Sequence, residues 1–204
     1  KRHLCEFVGL DIEMALSPCE DYTQLFNTIW SILYFIFEQL IIRYRDEVNY
    51  VQQLLKTPLI CIPKDPLVLS FKECVELLVK DGREQKPFDD LSTENERRLG
   101  EIVKEMYGSD LFIINSYPLN VRPFYTMPSV DKGYANAFDI IFRGQEISSG
   151  AQRVHEYKML IDRVMNAGIN PDTLVGYLSS FKYASKPHGG CGLGLERIVS
   201  LFLG

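Results

Sequence analysis

The sequence lacks the cysteine patterns that mark several classes of protein. Its five cysteines stand at positions 5, 19, 61, 74 and 191, with no Cys-x-x-Cys spacing. An odd, scattered set of thiols predicts neither a disulfide framework nor a zinc site. This usage favours the reducing cytosol, and we expect a cytoplasmic protein.

Positive charge is also scarce. The 204 residues carry 22 Lys and Arg against 27 Asp and Glu, a formal net charge of -5. Modules that bind nucleic acid by themselves usually show a basic surface. A stand-alone polyanion-binding module is therefore not expected, although a local basic site is compatible with this composition.

No apolar run reaches the roughly 20 residues that a membrane span needs. The most apolar stretch, residues 29–42, contains Glu38 and Gln39, so it predicts a buried helix and no membrane partner. No secretory signal or internal repeat is visible. The first residues already read as a strand and the last as a helix, which indicates a segment of a longer protein.

What is present fits one globular domain over residues 1–204, with 46% hydrophobic and 24% charged residues. Capping signals and apolar periodicity predict helices over residues 17–49, 71–81, 93–107, 157–167 and 170–183. Alternation predicts strands over residues 4–14, 111–115, 120–127, 138–142 and the terminal glycine stretch. Strands at both ends with helices between them predict an α+β fold with a mainly antiparallel sheet.

The most distinctive stretch is the last one, where glycine alternates with apolar residues. Gly190, Gly192 and Gly194 share one face of the predicted strand. Glycine weakens a strand, so this face indicates either close packing of neighbouring backbone or the approach of a flat ligand. Arg197, at the strand-to-helix junction, suits an anion or a ring. Only seven residues follow it, which excludes a dinucleotide-binding motif, because that motif needs an acid about twenty residues later.

Two other stretches carry groups suited to chemistry. Phe7 and Asp11 share a face of the first strand with Glu13, which is compatible with a stacking platform beside an amine or, more simply, with a solvated acidic face. Further along, Asp139, Glu146 and Ser149 offer the hard oxygens that hold Mg²⁺ beside phosphates. Arg153 offers a fork suited to a carboxylate.

Taken together, these stretches resemble the class II aminoacyl-tRNA synthetases, and among them the eukaryotic and archaeal type of aspartyl-tRNA synthetase. Residues 190–197 are similar to class II motif 3, and residues 2–14 to the end of motif 2. Residues 143–155 are similar to the segment that distinguishes the aspartate enzymes, and residues 90–93 and 118–128 also match. Motif 3 alone would specify only the class.

The resemblance implies an ATP site. Arg2, His3 and Leu4 would lie near the phosphates and the adenine edge, and Phe7 would stack on the adenine. Arg197 would cover the other side of the ring and touch the γ-phosphate. The same pocket would be lined by Gly194, Leu195 and Glu196.

The resemblance also implies magnesium and aspartate sites. Glu146 and Ser149 would be ligands of Mg²⁺ with Asp139 close by, and Glu146 and Arg197 would serve catalysis by neutralising charge. Arg153 would pair bidentately with the side chain of L-aspartate. The substrate site would also include Ser149. Asp11 would receive the amino group of the substrate.

The implied reaction joins L-aspartate to ATP, giving aspartyl-adenylate and pyrophosphate, and then transfers the aspartyl group to tRNA(Asp). Both steps depend on positioning and charge neutralisation rather than on a protein nucleophile. The resemblance also implies a homodimer. Motif 1, half of motif 2 and the anticodon-binding domain lie outside these residues, so the segment alone is not expected to catalyse the full reaction.

Two alternatives stay open at this point. An asparaginyl-type enzyme is the nearest, although Arg153 would be left with an unpaired buried charge beside asparagine. A non-catalytic, synthetase-like interaction module is the other. Its retention of Glu146, Ser149, Arg153 and Arg197 together would be unexpected.

Overall fold

A six-stranded sheet forms the centre of the computed structural model, which describes residues 4–17 and 21–204. In chain order the strands are β1 (Gly9–Ala15), β2 (Val68–Ser70), β3 (Leu111–Asn115), β4 (Ala137–Phe142), β5 (Gln145–Gln152) and β6 (His188–Gly194). Their order across the sheet is β1-β6-β5-β4-β3-β2. Only the β2–β3 pair is parallel, which confirms the predicted α+β class and its mainly antiparallel sheet.

Helices cover the sheet on both faces. They are α1 (Thr23–Arg43), α2 (Arg45–Leu55), α3 (Phe71–Lys80), α4 (Thr93–Tyr107), α5 (Tyr157–Asn166), α6 (Val175–Ser179) and α7 (Leu195–Leu203). On one face, α1 and α7 pack on apolar side chains of β3, β4 and β6. On the other face, α3 and α4 pack on β3 and β4. On this second face, α3 and α4 therefore leave β6 and β1 uncovered.

Alternation along the strands decides which residues face each layer. Phe138 and Ile140 of β4 lie in the core under α1, together with Cys191 and Leu193 of β6. Residues at the intervening positions point to the opposite face because strand side chains alternate. Gly190, Gly192 and Gly194 of β6 therefore face the uncovered half of the sheet.

Three of the predicted helices are confirmed. The helix predicted over residues 71–81 is α3, and Ser70 and Glu73 form its capping box. The helix predicted over residues 93–107 is α4, although its cap is Ser92 rather than Thr93. The helix predicted over residues 157–167 is α5.

The single long helix predicted over residues 17–49 is wrong. Its predicted capping segment falls mostly on residues 18–20, outside the described residues. The described helix begins at Thr23, leaves helical geometry at Tyr44 (φ -121°, ψ 36°) and resumes as α2 as far as Leu55. A break of one residue leaves no mark on apolar periodicity, which explains the error.

Two further segment predictions are wrong and one strand was missed. Residues 119–121 form a 3-10 turn where a strand was predicted, and Pro123 cannot donate to a sheet. The helix predicted over residues 170–183 is reduced to a 3-10 turn followed by α6. The missed strand is β5, whose Ser and Gly residues give no apolar alternation. Strand β1 begins only at Gly9 rather than at Leu4.

Within the described residues, α1 alone is long and apolar enough to cross a membrane by length and composition. Its buried side chains are Leu25, Phe26, Ile29, Trp30, Leu33 and Phe37. They lie in the core of the molecule, as the sequence predicted for a buried helix. The absence of a membrane partner stays a prediction.

Candidate active site

Four residues in register form a row across the face of the sheet that α3 and α4 cover only over β3 and β4. Asp11 of β1 pairs with Gly192 of β6, Gly192 with Ser149 of β5, and Ser149 with Asp139 of β4. Directly opposed residues of neighbouring strands project to the same face. The row therefore brings together three of the predicted site residues around a strand that has no side chain between them.

A cavity of about 670 Å³ opens over this row. Its lining includes the predicted site residues Leu4, Phe7, Asp11, Glu146, Ser149, Gly194, Glu196 and Arg197. Arg153 and Asp139 do not line it, nor does Leu195, which is exposed. Arg2 and His3 lie outside the described residues.

The three glycines on the bare face of β6, at positions 190, 192 and 194, differ in what surrounds them. A Cβ at Gly190 would meet the backbone carbonyl of Ile12 and the carboxylate of Glu13, so close packing requires glycine there. A Cβ at Gly192 would lie 2.9 Å from Oδ1 of Asp11, and one at Gly194 would have no neighbour nearer than 4.0 Å. Packing thus explains Gly190, whereas Gly192 and Gly194 form an open floor that a ligand can approach.

The end of this cavity that is predicted to bind the nucleotide is built from the chain before β1 and the start of α7. Both carboxylate oxygens of Glu196 accept from the backbone N–H of Val8, at 2.9 and 3.0 Å. Val8 in turn accepts from the backbone N–H of Leu195 at 3.0 Å. These bonds hold the Phe7 ring, which is 65% exposed, in the same cavity as Arg197. An exposed ring and a guanidinium in one cavity are suited to binding a planar base.

Glu146 lies at the edge of the cavity, and burial raises its pKa to about 7. The carboxylates of Asp139 and Glu96 raise the pKa of Glu146 further, while Arg122 and Arg197 oppose the shift. Arg197 also donates from Nη1 to the backbone carbonyl of Glu146 at 2.6 Å. A nearby cation stabilises the charged form of a buried carboxyl of this kind.

Arg122 is a member of this cluster that sequence reasoning missed. Its guanidinium donates to Asp139 Oδ2 at 2.6 Å and to Ser149 Oγ at 2.8 Å. It also lies over the ring of Tyr117, 3.7 Å from the centroid. The wrong strand prediction for residues 120–127 hid it, although an arginine within an otherwise apolar stretch was a usable signal.

The predicted magnesium ligands offer hard oxygens in a suitable place. Glu146 and Ser149 line the cavity, and Oδ1 of the buried Asp139 has no hydrogen-bond partner among the described residues. No group of three or more His, Cys, Asp or Glu side chains is arranged to hold a metal in the part of the chain that the structure describes. Mg²⁺ is usually held by one or two carboxylates together with waters and substrate phosphates. The donor set therefore fits an ion that arrives with a nucleotide.

Arg153 lies just beyond the cavity and is already paired. Its Nη2 donates to Glu13 Oε1 at 2.8 Å, and its guanidinium lies 5.1 Å from the ring centroid of Tyr125. Glu13 reaches Arg153 across Gly190, which explains why no side chain fits at that glycine. The guanidinium thus already binds a carboxylate in this structure, and its pairing with aspartate stays a prediction.

Comparisons with known proteins agree with this geometry. The family model described as "tRNA synthetases class II (D, K and N)" matches residues 1–204. The cytoplasmic aspartate–tRNA ligase of Caenorhabditis elegans is 42% identical over 204 residues, which cover the whole chain and 38% of that protein. The chain thus spans well under half the length of this curated relative.

Solved structures show the same fold. The aspartyl-tRNA synthetase from Entamoeba histolytica matches with a TM-score of 0.94 and 40% identity, over 98% of this chain and 41% of that one. The asparaginyl-tRNA synthetase from Pyrococcus horikoshii matches with a TM-score of 0.82 and 26% identity, over 99% and 47%. The likeness is therefore greater to this aspartate enzyme than to this asparagine enzyme.

Proposed function

The chain belongs to the class II tRNA synthetases of the D, K and N group, and from this we propose that the full-length protein is an aspartate–tRNA ligase. It activates L-aspartate with ATP to give aspartyl-adenylate and pyrophosphate, and transfers the aspartyl group to tRNA(Asp). One observation carries the proposal. The open glycine floor of β6 has Phe7 and Arg197 near Gly194 and Asp11 beside Gly192, with the paired Arg153 toward Gly190.

At the nucleotide end, adenine stacks on Phe7 and is covered by Arg197, which also touches the γ-phosphate. Arg2, His3 and Leu4 lie near the phosphates and the adenine edge. The backbone of Gly194 gives the base room to lie flat, because nothing stands over it. Glu196 acts indirectly, since both of its oxygens hold the backbone of Val8.

At the aspartate end, Asp11 receives the amino group and Arg153 receives the side-chain carboxylate. Glu13 holds one branch of the Arg153 guanidinium in the free protein, so it yields or shares that branch when aspartate binds. Asparagine brings no charge to Arg153. An amide that displaces Glu13 from Arg153, as the aspartate carboxylate does, leaves the guanidinium without a counter-charge, which costs several kcal/mol when the site is closed to water.

Between the two ends, Glu146 and Ser149 would hold Mg²⁺, with Asp139 behind them. Bound with ATP, this ion would neutralise charge on the phosphate oxygens. Arg122 keeps Asp139 and Ser149 in place from the α3 side of the sheet. Glu146 faces the cavity because its peptide is held by Arg197.

In the first step, an α-carboxylate oxygen of aspartate attacks the α-phosphorus of ATP. The bond from that phosphorus to the bridging oxygen breaks, and pyrophosphate leaves with the electron pair. No side chain forms a covalent intermediate, so the site contributes positioning and charge stabilisation. In the second step, a terminal ribose hydroxyl of the tRNA takes the aspartyl group and AMP leaves.

Exchange of labelled pyrophosphate into ATP by the full-length protein tests this function. We expect exchange with L-aspartate and a rate at least about 100-fold lower with L-asparagine. Exchange driven by asparagine would identify an asparaginyl-type enzyme. No exchange with aspartate, asparagine or lysine would leave the non-catalytic interaction module as the explanation.

By the same family likeness, we propose that the full-length protein is a cytoplasmic homodimer. Named cytoplasmic relatives support the compartment. Light scattering of the purified full-length protein tests the assembly, and a monomer at micromolar concentration would contradict it.

A further inference from the structure

Glu96 of α4 is a buried carboxylate that the proposed chemistry does not use. The residue is 5% exposed, and glutamate is almost never so deeply buried unless it is paired. Its Oε1 accepts a short hydrogen bond from the backbone N–H of Glu146. A side chain 50 residues away in the sequence therefore holds the peptide of the proposed magnesium ligand.

The approach of α4 to this peptide depends on two glycines. A Cβ at Gly100 of α4 would lie 2.5 Å from the Cα of Gly144, and a Cβ at Gly144 would lie 2.9 Å from the backbone of Arg97. Gly144 also has a left-handed backbone (φ 71°) in the turn between β4 and β5. The helix thus packs directly on this turn, which fixes Glu96 relative to the start of β5.

The backbone of Glu146 is held on both sides of its Cα. Its N–H donates to Glu96 of α4, and its carbonyl accepts from Arg197 of α7 at 2.6 Å. The β4–β5 register shifts between Ile140 and Ile141, next to the Ile141–Glu146 pair. An irregularity of this kind re-aims side chains and frees backbone groups from the ladder. Glu96 supplies an acceptor at the point where the ladder is irregular.

We propose that Glu96 is a positioning residue, which sets the direction of the Glu146 carboxylate by holding its backbone N–H. The inference rests on the proposed function, because it assigns Glu146 to the magnesium ion of that reaction. It also connects Glu96 to Arg197, since these two side chains hold the two peptide groups on either side of the Glu146 Cα. Replacing Glu96 therefore weakens metal binding first and leaves the aspartate end unaffected.

Two substitutions and a matched control test the proposal in the full-length protein. Glu96→Asp withdraws the acceptor by one methylene and keeps the charge, whereas Glu96→Gln keeps an acceptor oxygen at the original reach. Glu105→Asp makes the shorter change on the same helix at a side chain that is 67% exposed. Binding of Mn²⁺ to the complex with a non-hydrolysable ATP analogue is measured by electron paramagnetic resonance, with the analogue alone as background.

We expect Glu96→Asp to weaken Mn²⁺ binding about tenfold, the lower end of the usual effect of groups that orient metal ligands. Glu96→Gln should weaken it no more than about threefold, and Glu105→Asp should leave it unchanged. The magnesium concentration for half-maximal exchange should rise in parallel, with the KM for aspartate within about twofold of wild type. A merely structural role would lower the melting temperature without moving these midpoints.

Wild-type Mn²⁺ binding in a folded Glu96→Asp variant would overturn the inference, and so would an equal loss in Glu105→Asp. Exchange by the unaltered protein with aspartate tests the proposed function separately. If that exchange is absent, the proposed function fails whatever Glu96 does. If exchange is present and Glu96→Asp behaves as wild type, only the positioning inference fails.

Discussion

Under the proposed function, Arg153 is the residue on which the choice of amino acid depends. In this structure it pairs with Glu13 and lies beside the Tyr125 ring, so its charge is already compensated before substrate arrives. A substrate carboxylate could replace Glu13 as the partner at no cost in charge, whereas an amide that displaced Glu13 would leave the guanidinium without a counter-charge. The guanidinium would thus favour an acidic side chain.

Arg153→Ala should reduce kcat/KM for aspartate in pyrophosphate exchange by at least about 1,000-fold, because a charge-assisted bidentate contact is lost. The Kd for ATP, measured by calorimetry, should change less than about twofold. Arg83→Ala, at an exposed position, is the matched control. Unchanged aspartate activation in Arg153→Ala would remove this residue from the pocket.

Arg122 forms a buried ion pair that contributes to the stability of the protein. Its side chain is 11% exposed and pairs with Asp139, whose side chain is 7% exposed. Removing one partner leaves an uncompensated buried charge. We expect Arg122→Met to lower the free energy of unfolding by about 3 kcal/mol, and added Asp139→Asn to restore part of it.

Urea unfolding of the wild type, both single variants and the double variant measures this coupling. A double variant as unstable as the sum of the two single variants would contradict the pairing, because independent sites add. The sequence predicted Asp139 but not its partner. Residues 122 and 139 lie on separate segments, and their contact depends on how the sheet assembles.

At the scale of elements, β6 separates two uses of glycine. Gly190 is closed by the backbone of β1 and by Glu13, whereas Gly194 is open. The alternation of glycine predicted the bare face, but periodicity contains no information on what lies against each position. The difference between Gly190 and Gly194 comes from the neighbouring strand β1, whose backbone and Glu13 side chain lie against Gly190 alone.

Gly190→Ala should therefore destabilise the protein by about 3 kcal/mol, because backbone cannot yield to the added methyl. Gly194→Ala should leave the melting temperature within about 2 °C of wild type and weaken ATP binding about tenfold or more, because only a bound ligand meets the methyl. Thermal unfolding and calorimetric titration measure the two effects. Equal behaviour of the two variants would contradict the division.

The capping box of α3 is an element that the sequence predicted fully. Ser70 Oγ accepts from the N–H of Glu73, and Glu73 Oε2 accepts from the N–H of Ser70 at 2.7 Å. Ser70→Ala should cost about 1 kcal/mol of unfolding free energy. Ser31→Ala, at an exposed position inside α1 where Oγ bonds back to the carbonyl of Asn27, should cost nothing measurable. Equal losses would contradict a specific cap.

At the scale of the whole molecule, local signals predicted the elements better than their neighbours in space. Helices with caps and strands with apolar alternation were found, while β5 was missed because Ser148, Ser149 and Gly150 are small and polar. Yet β5 carries Ser149 and Glu146 into the site. The family resemblance predicted that these residues lie in one site. The register of β4, β5, β6 and β1 places Asp11, Ser149 and Asp139 in one row.

That register also explains why the site lies where it does. Helices α3 and α4 pack on the β3–β4 half of one face, and the cavity opens over the half that they leave uncovered. Glu96 and Arg122 reach the site from the covered half. Neither could be assigned from its own segment, because both act through contacts between layers.

A crystal structure of the full-length protein with a non-hydrolysable sulfamoyl analogue of aspartyl-adenylate tests the central claim most directly. We predict adenine between Phe7 and Arg197 over Gly194, the amino group at Asp11, and the side-chain carboxylate about 3 Å from the Arg153 guanidinium. Adenine away from Phe7 and Arg197, or a side-chain carboxylate that does not reach Arg153, would contradict the account.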